Sequence, residues 1–380
     1  MRSAKLMNWT PKVVLLVREA GAMVPRPAAC GDGLSVGKLK PVRICILGAG
    51  GLGSVIGACL AESGTDVALI GRHAHMSAIK DRGLEVSGIR GLRCVRKRLE
   101  VATKADALAG EFDFLFLTVK AKDTEAALDA ASGLRERIGS AVSFQNVSEK
   151  NAALIDWLGA DRVIGGATFE SGELVAPGVV RHAATATVTA YFGELGRAGG
   201  TVTQHDRVAS LVSLFDQAGL RARASDDIQE VEREKLIQVS LAAAWSISTL
   251  GMIPGASMAE TLMIPEAAAH YVSIAKELIA LHRAMGHTPA DYFAPYSQLR
   301  ELESDDFETA VAQQRKLGAD LYRKGILGRP SMHNDLLHVK AIEVEQNIGF
   351  LLRLAIDLNV PTPSLTTSYR IIKTLEHLVS

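Results

Sequence analysis

The chain is poor in several things, and each shortage excludes a class of protein. Only 5% of its 380 residues are aromatic, and only four are cysteines. No two cysteines form C-x-x-C, so neither a zinc ribbon nor a thioredoxin-like redox motif is available. Cys45 and Cys59 fall in a predicted strand and helix and read as buried thiols. With Cys30 and Cys94 they suit a reducing compartment, and the cytoplasm is the expected location. Excess charge is also missing. The 42 basic residues balance 42 acidic ones, which gives no footing for nucleic acid or an anionic membrane surface. The apolar run Val13-Val14-Leu15-Leu16-Val17 is short for a signal peptide and far too short to span a bilayer. The ten histidines are scattered, and no H-E-x-x-H or comparable metal spacing occurs, so no metal is expected.

What is present is ordinary for a globular protein: 48% hydrophobic and 22% charged residues. The length suggests two domains. Residues 1–41 stand apart. They carry Pro25, Pro27 and a glycine-rich run from Gly31 to Gly37, and they read as a flexible extension that the fold does not need. The segment Gly31–Lys38 superficially resembles a P-loop. It fails because the first glycine is misplaced and Leu39 stands where Ser or Thr must meet magnesium.

The richest stretch is Val42–Gly57, VRICILGAGGLGSVIG. An apolar strand, Ile44–Leu47, runs into Gly48-Ala49-Gly50-Gly51-Leu52-Gly53, and a helix follows from Ser54 to Ser63. This is G-x-G-x-x-G between a strand and a helix, the context that gives the motif meaning. Gly48 allows the tight turn, Gly50 lets a pyrophosphate approach the backbone, and Gly53 lets helix and strand pack closely. Free N–H groups at the helix start then hold the phosphates.

Residues 42–224 alternate strand and helix patterns and imply a parallel sheet. The strands expected are Arg43–Leu47, Asp66–Ile70, Phe114–Val119 and Ala141–Gln145, with an antiparallel pair inside Leu84–Ala102. Val163–Glu194 reads as later strands of the same domain. Residues 225–380 change character. Helical patterns cover Ile228–Leu250, Ala256–Met285, Asp305–Tyr322, Asp335–Leu358 and a last stretch from Pro363 to Leu378. The fold class expected is α/β: a Rossmann-type parallel-sheet domain followed by an all-helical domain.

Ligands of such sheets bind outside the carboxyl ends of the strands. Arg72, Lys120 and Asn146 fall at three of those ends. NAD-binding versions place an acid about 20 residues after the glycines. Here Ala68-Leu69-Ile70-Gly71 offers none, and Arg72 presents a planar fork suited to a 2′-phosphate. The cofactor expected is NADPH.

The pieces ILGAGGLGS, FLTVKAKD, FQN, APGVVRH, EREKL and RPSMHNDLLHVKAIEVEQNIGFL resemble the ketopantoate reductase family from Val42 to the end. The resemblance implies reduction of 2-dehydropantoate to pantoate with NADPH, in a cleft between the two domains. It implies that Lys235 is the general acid and that Lys120 and Asn146 lie by the nicotinamide and the substrate. Ser331 would bind the substrate carboxylate. Glu343 would bind a substrate hydroxyl and help orient Lys235. Addition of hydride to a ketone develops charge on oxygen, which suits a cation that can give up a proton.

Three positions depart from the family, the first being Arg233, which stands two residues before the lysine where the family usually has Trp. Val239 and Ala243 stand where it places asparagines, four and eight residues after the lysine and on the same helix face. That wall is less polar, so the substrate is open between 2-dehydropantoate and a less polar compound handled by a dehydrogenase or imine reductase. A non-catalytic NADPH sensor is the alternative of another class. A small 2-oxo acid is the partner expected, without nucleic acid or membrane, and a homodimer is left open.

Overall fold

A computed structural model describes residues 42–196 and 206–379. The expectations for residues 1–41, Cys30 included, lie outside the described residues. The first half runs β1 (Arg43–Leu47), α1 (Gly51–Glu62), β2 (Asp66–Ile70), α2 (His73–Arg82), β3 (Leu84–Gly88), β4 (Arg93–Val95), β5 (Leu99–Ala102), β6 (Phe112–Leu117), α3 (Thr124–Ala130), β7 (Ile138–Ser143), α4 (Ala152–Leu158), β8 (Val163–Thr168), β9 (Ser171–Ala176), β10 (Val179–Ala184), β11 (Ala190–Glu194), α5 (Asp206–Gln217) and β12 (Ala222–Ala224).

Eight of these strands form one sheet in the order β12-β11-β8-β7-β6-β1-β2-β5. It is parallel from β5 to β8, and β11 joins antiparallel to β8. Strand β6 shows why the sheet is covered on both faces. Its Phe114 and Phe116 pack on one side with Phe144, Phe192 and Phe215, while Leu115 and Leu117 pack on the other with Leu134 and Leu154. Period-2 alternation sends successive side chains to opposite faces, and both faces are apolar.

One sequence expectation for this half is revised and another gains detail. The segment 84–102 is not simply an antiparallel pair. Strands β3 and β4 are antiparallel, but β5 leaves them and joins the main sheet parallel to β2. Residues 163–194 also divide: β8 and β11 belong to the main sheet, and β9 and β10 form a second sheet in the order β4-β3-β10-β9. Alternation marks a strand but carries no record of which neighbour it will pair with.

The second half is helical: α6 (Ile228–Leu250), α7 (Met258–Leu262), α8 (Pro265–Ala284), α9 (Leu299–Ser304), α10 (Phe307–Arg323), α11 (Ser331–Leu337), α12 (Phe350–Asp357) and α13 (Pro363–Val379). Helix α6 matches its expected bounds, and Asp227 caps it by accepting from Glu230 N–H at 3.1 Å. The stretch Ala256–Met285 is two helices, not one. Proline at the first position of α8 has no N–H to give, and Ile264 before it is extended. The single helix expected over Asp335–Leu358 is also broken. The chain leaves α11 through Val339 at φ +54° and re-enters helix by a π turn, Glu345–Gly349. Trp245 of α6 centres the helical core, and its Nε1–H donates to Ala267 O at 2.7 Å. The described residues belong to one compact unit.

His75 ties the second sheet to the first. Its Nδ1 accepts from Gly178 N–H at 2.9 Å, so Nε2 carries the proton and faces Ser54 Oγ at 3.0 Å. Burial holds its pKa below the usual value of 6.5. A proton on Nδ1 would break the bond from Gly178. His75→Ala is expected to cost about 1–3 kcal/mol at pH 7.5, for the groups it leaves unpaired. Because the folded pKa is depressed, the unfolded chain binds more protons as pH falls below 6.5. Thermal melts should therefore show the gap between wild type and variant narrowing there. A gap constant between pH 5 and 8 would contradict this account of His75.

Candidate active site

The carboxyl ends of β2, β1, β6, β7 and β8 lie side by side in that order. They present Arg72, the glycine loop, Lys120, Asn146 and the Thr168–Phe169 turn in a row four strand spacings long, roughly 19 Å. The sheet order reverses between β1 and β6, which is where such sheets bind ligands.

The glycine loop can be tested residue by residue. Gly48 has φ +110°, and a Cβ there would lie 2.6 Å from Val119 N. Cβ atoms at Gly51 and Gly53 would lie 2.0 Å from Gly172 O and 2.6 Å from Thr118 Oγ1. Those three glycines are required by the protein itself. Gly50 is different: a Cβ there would meet only Gly48 O, at 3.9 Å. The space over Gly50 is open, and the adjoining helix start has no side-chain cap and no acid in its first turn. The N–H groups of Gly51, Leu52 and Gly53 have no carbonyl four residues back inside α1. Ala49 packs on Gly71, which brings Arg72 next to the loop. Arg72 is exposed, and its guanidinium makes no hydrogen bond or ion pair with any described residue, while its carbonyl accepts from the His75 and Met76 N–H groups. These residues fit a dinucleotide whose pyrophosphate sits over Gly50 and whose ribose phosphate reaches Arg72.

Across the row, the helical half closes down on the sheet. Lys120 Nζ lies 2.7 Å from Asp335 Oδ2 and 3.7 Å from Glu343 Oε2, and Ala121 N–H donates to Glu343 Oε1 at 2.6 Å. Asn347 Nδ2 donates to Asn146 O at 3.2 Å. Burial opposes the charge on Lys120, but Glu343 and Asp335 outweigh it and raise its pKa. The π turn and the break at Val339 bring Asp335, Glu343 and Asn347 to the same seam.

Lys235 sits on α6 beside this seam. It is 8% exposed, and its Nζ lies 4.4 Å from the Phe169 ring centre and 5.1 Å from that of Phe293. No carboxylate pairs with it among the described residues. Burial, reinforced by Lys150, pulls its pKa from 10.5 down to about 7. A cavity of about 10 Å³, room for about one water, joins Lys235 to Asn146, Lys150, Thr168 and Glu232.

The structure thus brings Gly48–Gly53, Arg72, Lys120, Asn146 and Lys235 to one edge. Ser331 is the exposed first residue of α11, one turn before Asp335. Glu343 does not orient Lys235 as expected. It is held by Lys120 and Ala121, because the broken helix turns it toward β6. Sequence reasoning missed Lys150, Glu232, Asp335, Asn347 and the aromatic pair. Gln238, one turn after Lys235, was missed too; its buried Oε1 has no partner among the described residues. No spacing rule marks these residues. Glu232, Asp335 and Asn347 lay within the quoted family-like pieces; Lys150, Gln238 and the aromatic pair did not.

Residues 44–197 match the family described as ketopantoate reductase PanE/ApbA, and residues 227–376 match its C-terminal part. The chain belongs to that family. A 2-dehydropantoate 2-reductase of Pyrococcus horikoshii is 32% identical over 189 residues, which are 49% of this chain and 57% of that one. The match thus spans little more than half of that relative. A PanE/ApbA family ketopantoate reductase from Ralstonia eutropha shares the fold with a TM-score of 0.68 at 22% identity, over 89% of this chain and 99% of that one. A D-mandelate dehydrogenase solved with NADH and anilino(oxo)acetate does so at 0.67 and 20% identity, over 89% and 99%. No helix among the described residues is long and apolar enough to cross a membrane.

The glycine geometry yields a paired expectation. Gly50→Ala should melt within about 2 °C of wild type, as the protein leaves room for the methyl, yet lose at least about tenfold in NADPH affinity. Gly48→Ala should lose stability outright, as its positive φ and the clash with Val119 both oppose a side chain. Calorimetry and fluorescence titration separate the two effects. Unimpaired dinucleotide binding by Gly50→Ala would remove the assignment of the loop.

Proposed function

We propose that this protein reduces a 2-oxo acid to the 2-hydroxy acid with NADPH, and that 2-dehydropantoate is the substrate. One observation carries the reading. Lys235 is buried without a counter-ion, is held near neutrality, and faces a small cavity at the row of strand ends beside the dinucleotide loop. A structural lysine would be paired or exposed. A lysine poised near pH 7 is suited to give a proton to an oxygen that is gaining charge.

In this reading the cofactor supplies hydride. Arg72 receives the ribose phosphate, and its bidentate fork accounts for the preference for NADPH. Lys120 and Asn146 flank the reacting end. Lys235 donates to the substrate oxygen, and the Phe169 and Phe293 faces stabilise its ammonium form while excluding water. Ser331 takes the substrate carboxylate and Glu343 a hydroxyl. Both require the seam to open, since the cavity holds about one water and Glu343 is engaged by Lys120.

A second substrate class is favoured by one feature. Phe169 stacks on Tyr296 at 4.8 Å and lies 6.0 Å from Phe293. An aryl or branched 2-oxo acid would bury more surface there than a hydroxylated one. NADPH oxidation with a panel of both kinds decides between them. Tight NADPH binding with no turnover of any member would favour the sensor and overturn the reductase.

Three expected outcomes follow from the roles. Lys235→Ala should cut turnover by roughly 10²–10⁴-fold, the range for loss of an acid catalyst, with NADPH affinity unchanged. Reductive kcat/KM should fall as pH rises above about 7, because the acid must be protonated and burial has lowered its pKa to that value. A profile flat to pH 9 would mean that Lys235 is not the proton donor. Arg72→Ala should weaken NADPH far more than NADH, measured as separate Kd values. Equal affinity of the wild type for the two cofactors would end the claim for Arg72.

A further inference from the structure

The reading above leaves a buried ion pair next to Lys235 without a role. Lys150 is 6% exposed, yet it is neither a core hydrophobe nor a free surface charge. Its Nζ donates to Ser143 O at 3.1 Å and to Gly166 O, and lies 3.1 Å from Glu232 Oε1. Three acceptors match the three N–H bonds of an ammonium. Ser143 ends β7, and Gly166 belongs to β8. These strands pair at Ala141–Val163 and Val142–Ile164, and just beyond those pairs the Lys150 ammonium bridges their carbonyls.

Glu232 completes the arrangement from α6. Its Oε1 also accepts from Gly166 N–H at 2.9 Å, and its Oε2 accepts from Asn151 Nδ2 at 2.9 Å. Glu232 lies three residues before Lys235 on the same helix, and Lys150, Glu232 and Lys235 line one cavity. With all three donors engaged, Lys150 has none left for a substrate.

We propose that Lys150 is a positioning residue for the reduction: its fixed positive charge, clamped by Glu232 to the open ends of β7 and β8, stations the α6 turn that carries Lys235 and promotes release of the proton from it. The inference rests on Lys235 being the acid.

The other charged groups around Lys235 are engaged elsewhere. Glu234, on its own helix, accepts from Ala290 N–H, Tyr292 N–H and the Ser297 hydroxyl. Arg233 reaches back to Gln229. Glu170, in the β8–β9 turn, is bound by His182 and Thr185. Asp291, in the loop that carries Phe293, accepts from Leu299 N–H and the Ser297 hydroxyl. Across the seam, Asp335 and Glu343 face Lys120. Lys150 is the charged neighbour that bears on Lys235, and like charges disfavour a second ammonium.

The test is a direct titration of Lys235 in the full chain, made with lysine labelled with carbon-13 at Cε and with the signal assigned by its loss in Lys235→Met. The wild-type midpoint should fall near 7. Lys150→Met should raise it by roughly one pH unit, and Lys150→Arg, which keeps the charge, should leave it within about 0.3. Glu232→Gln should lower it, since Lys150 then acts uncompensated. A loss of packing would not move the midpoint in opposite directions for the two partners. The pH profile of kcat/KM should follow the same shifts. Midpoints that stay put, or that move the same way in Lys150→Met and Glu232→Gln, overturn the role of Lys150. Should Lys150→Met fail to fold, Glu232→Gln alone decides: a fall supports the proposal and no change refutes it. Absence of turnover in the wild type would instead overturn the reductase reading and leave the charge coupling to stand or fall on the titration.

Discussion

The site is organised around the cost of burying Lys235 without a carboxylate beside it. A descent from 10.5 to about 7 corresponds to about 5 kcal/mol of differential interaction between its charged and neutral forms. A carboxylate in contact would recover much of that and fix the proton in place. The fold provides the opposite. The charge that bears on it is Lys150, which has the same sign, and its ammonium lies over the faces of Phe169 and Phe293. The sign of the linkage follows. Between pH 7 and 10.5 the unfolded chain holds the extra proton, so this residue's penalty on stability shrinks as pH rises through that window. Below pH 7 the penalty is complete. The surrounding strands and helices must carry it, which is how strain at a site is sustained by the rest of a fold.

The seam sets the second constraint. Lys120 is held by Asp335 and Glu343, Ala121 N–H by Glu343, and Asn146 O by Asn347. Lys120 keeps 40% of its side-chain surface, so these contacts are screened by water, and each is worth far less than a dry ion pair. That weakness is compatible with opening. A clasp of a few partly exposed polar contacts can part on the timescale of a lid, whereas the pair Lys150–Glu232, 5% and 13% exposed, cannot open cheaply.

Much of this was legible in the sequence, for identifiable reasons. The glycine loop, β1, β2 and α6 have local signals: glycines at fixed spacing, short apolar runs, and Asp227 as an N-cap. Their local preferences agree with the global fold, so the pattern alone places them. The break at Pro265 was equally legible, but the apolar period runs through it and hides it. The break at Val339 was not. Helical periodicity continues through 335–358, and the turn is decided by long-range contacts that bring Asp335 and Glu343 to Lys120. The pairing of Glu343 with Lys235 came from the family resemblance, and in this structure Glu343 meets Lys120 and Ala121 N–H instead. Lys150 left no trace at all, because its three acceptors are two backbone carbonyls and a carboxylate 82 residues away.

The two constraints divide the site unequally between the halves of the molecule. Helix α6 belongs to the helical region by its length, but its start belongs to the sheet. Glu232 accepts from Gly166 N–H of β8 and from Asn151, which precedes α4, and grips Lys150 at the end of β7. Lys235, one turn later, is therefore fixed in the frame of β7 and β8. The glycine loop and Arg72 share that frame through β1 and β2. Asp335, Glu343 and Asn347 come from α11, the segment after it and the π turn, and they meet the sheet at the seam. Parting the seam would shift Asp335 and Glu343 and leave the lysine and the dinucleotide loop in register, while Asn347, whose Oδ1 accepts from the Ser240 hydroxyl of α6, stays with that helix. Proton donation and hydride transfer tolerate little misplacement, so they gain from a shared rigid frame, while entry of a substrate needs freedom. The Lys150–Glu232 pair separates the two demands by pinning the first turns of a helix to the sheet.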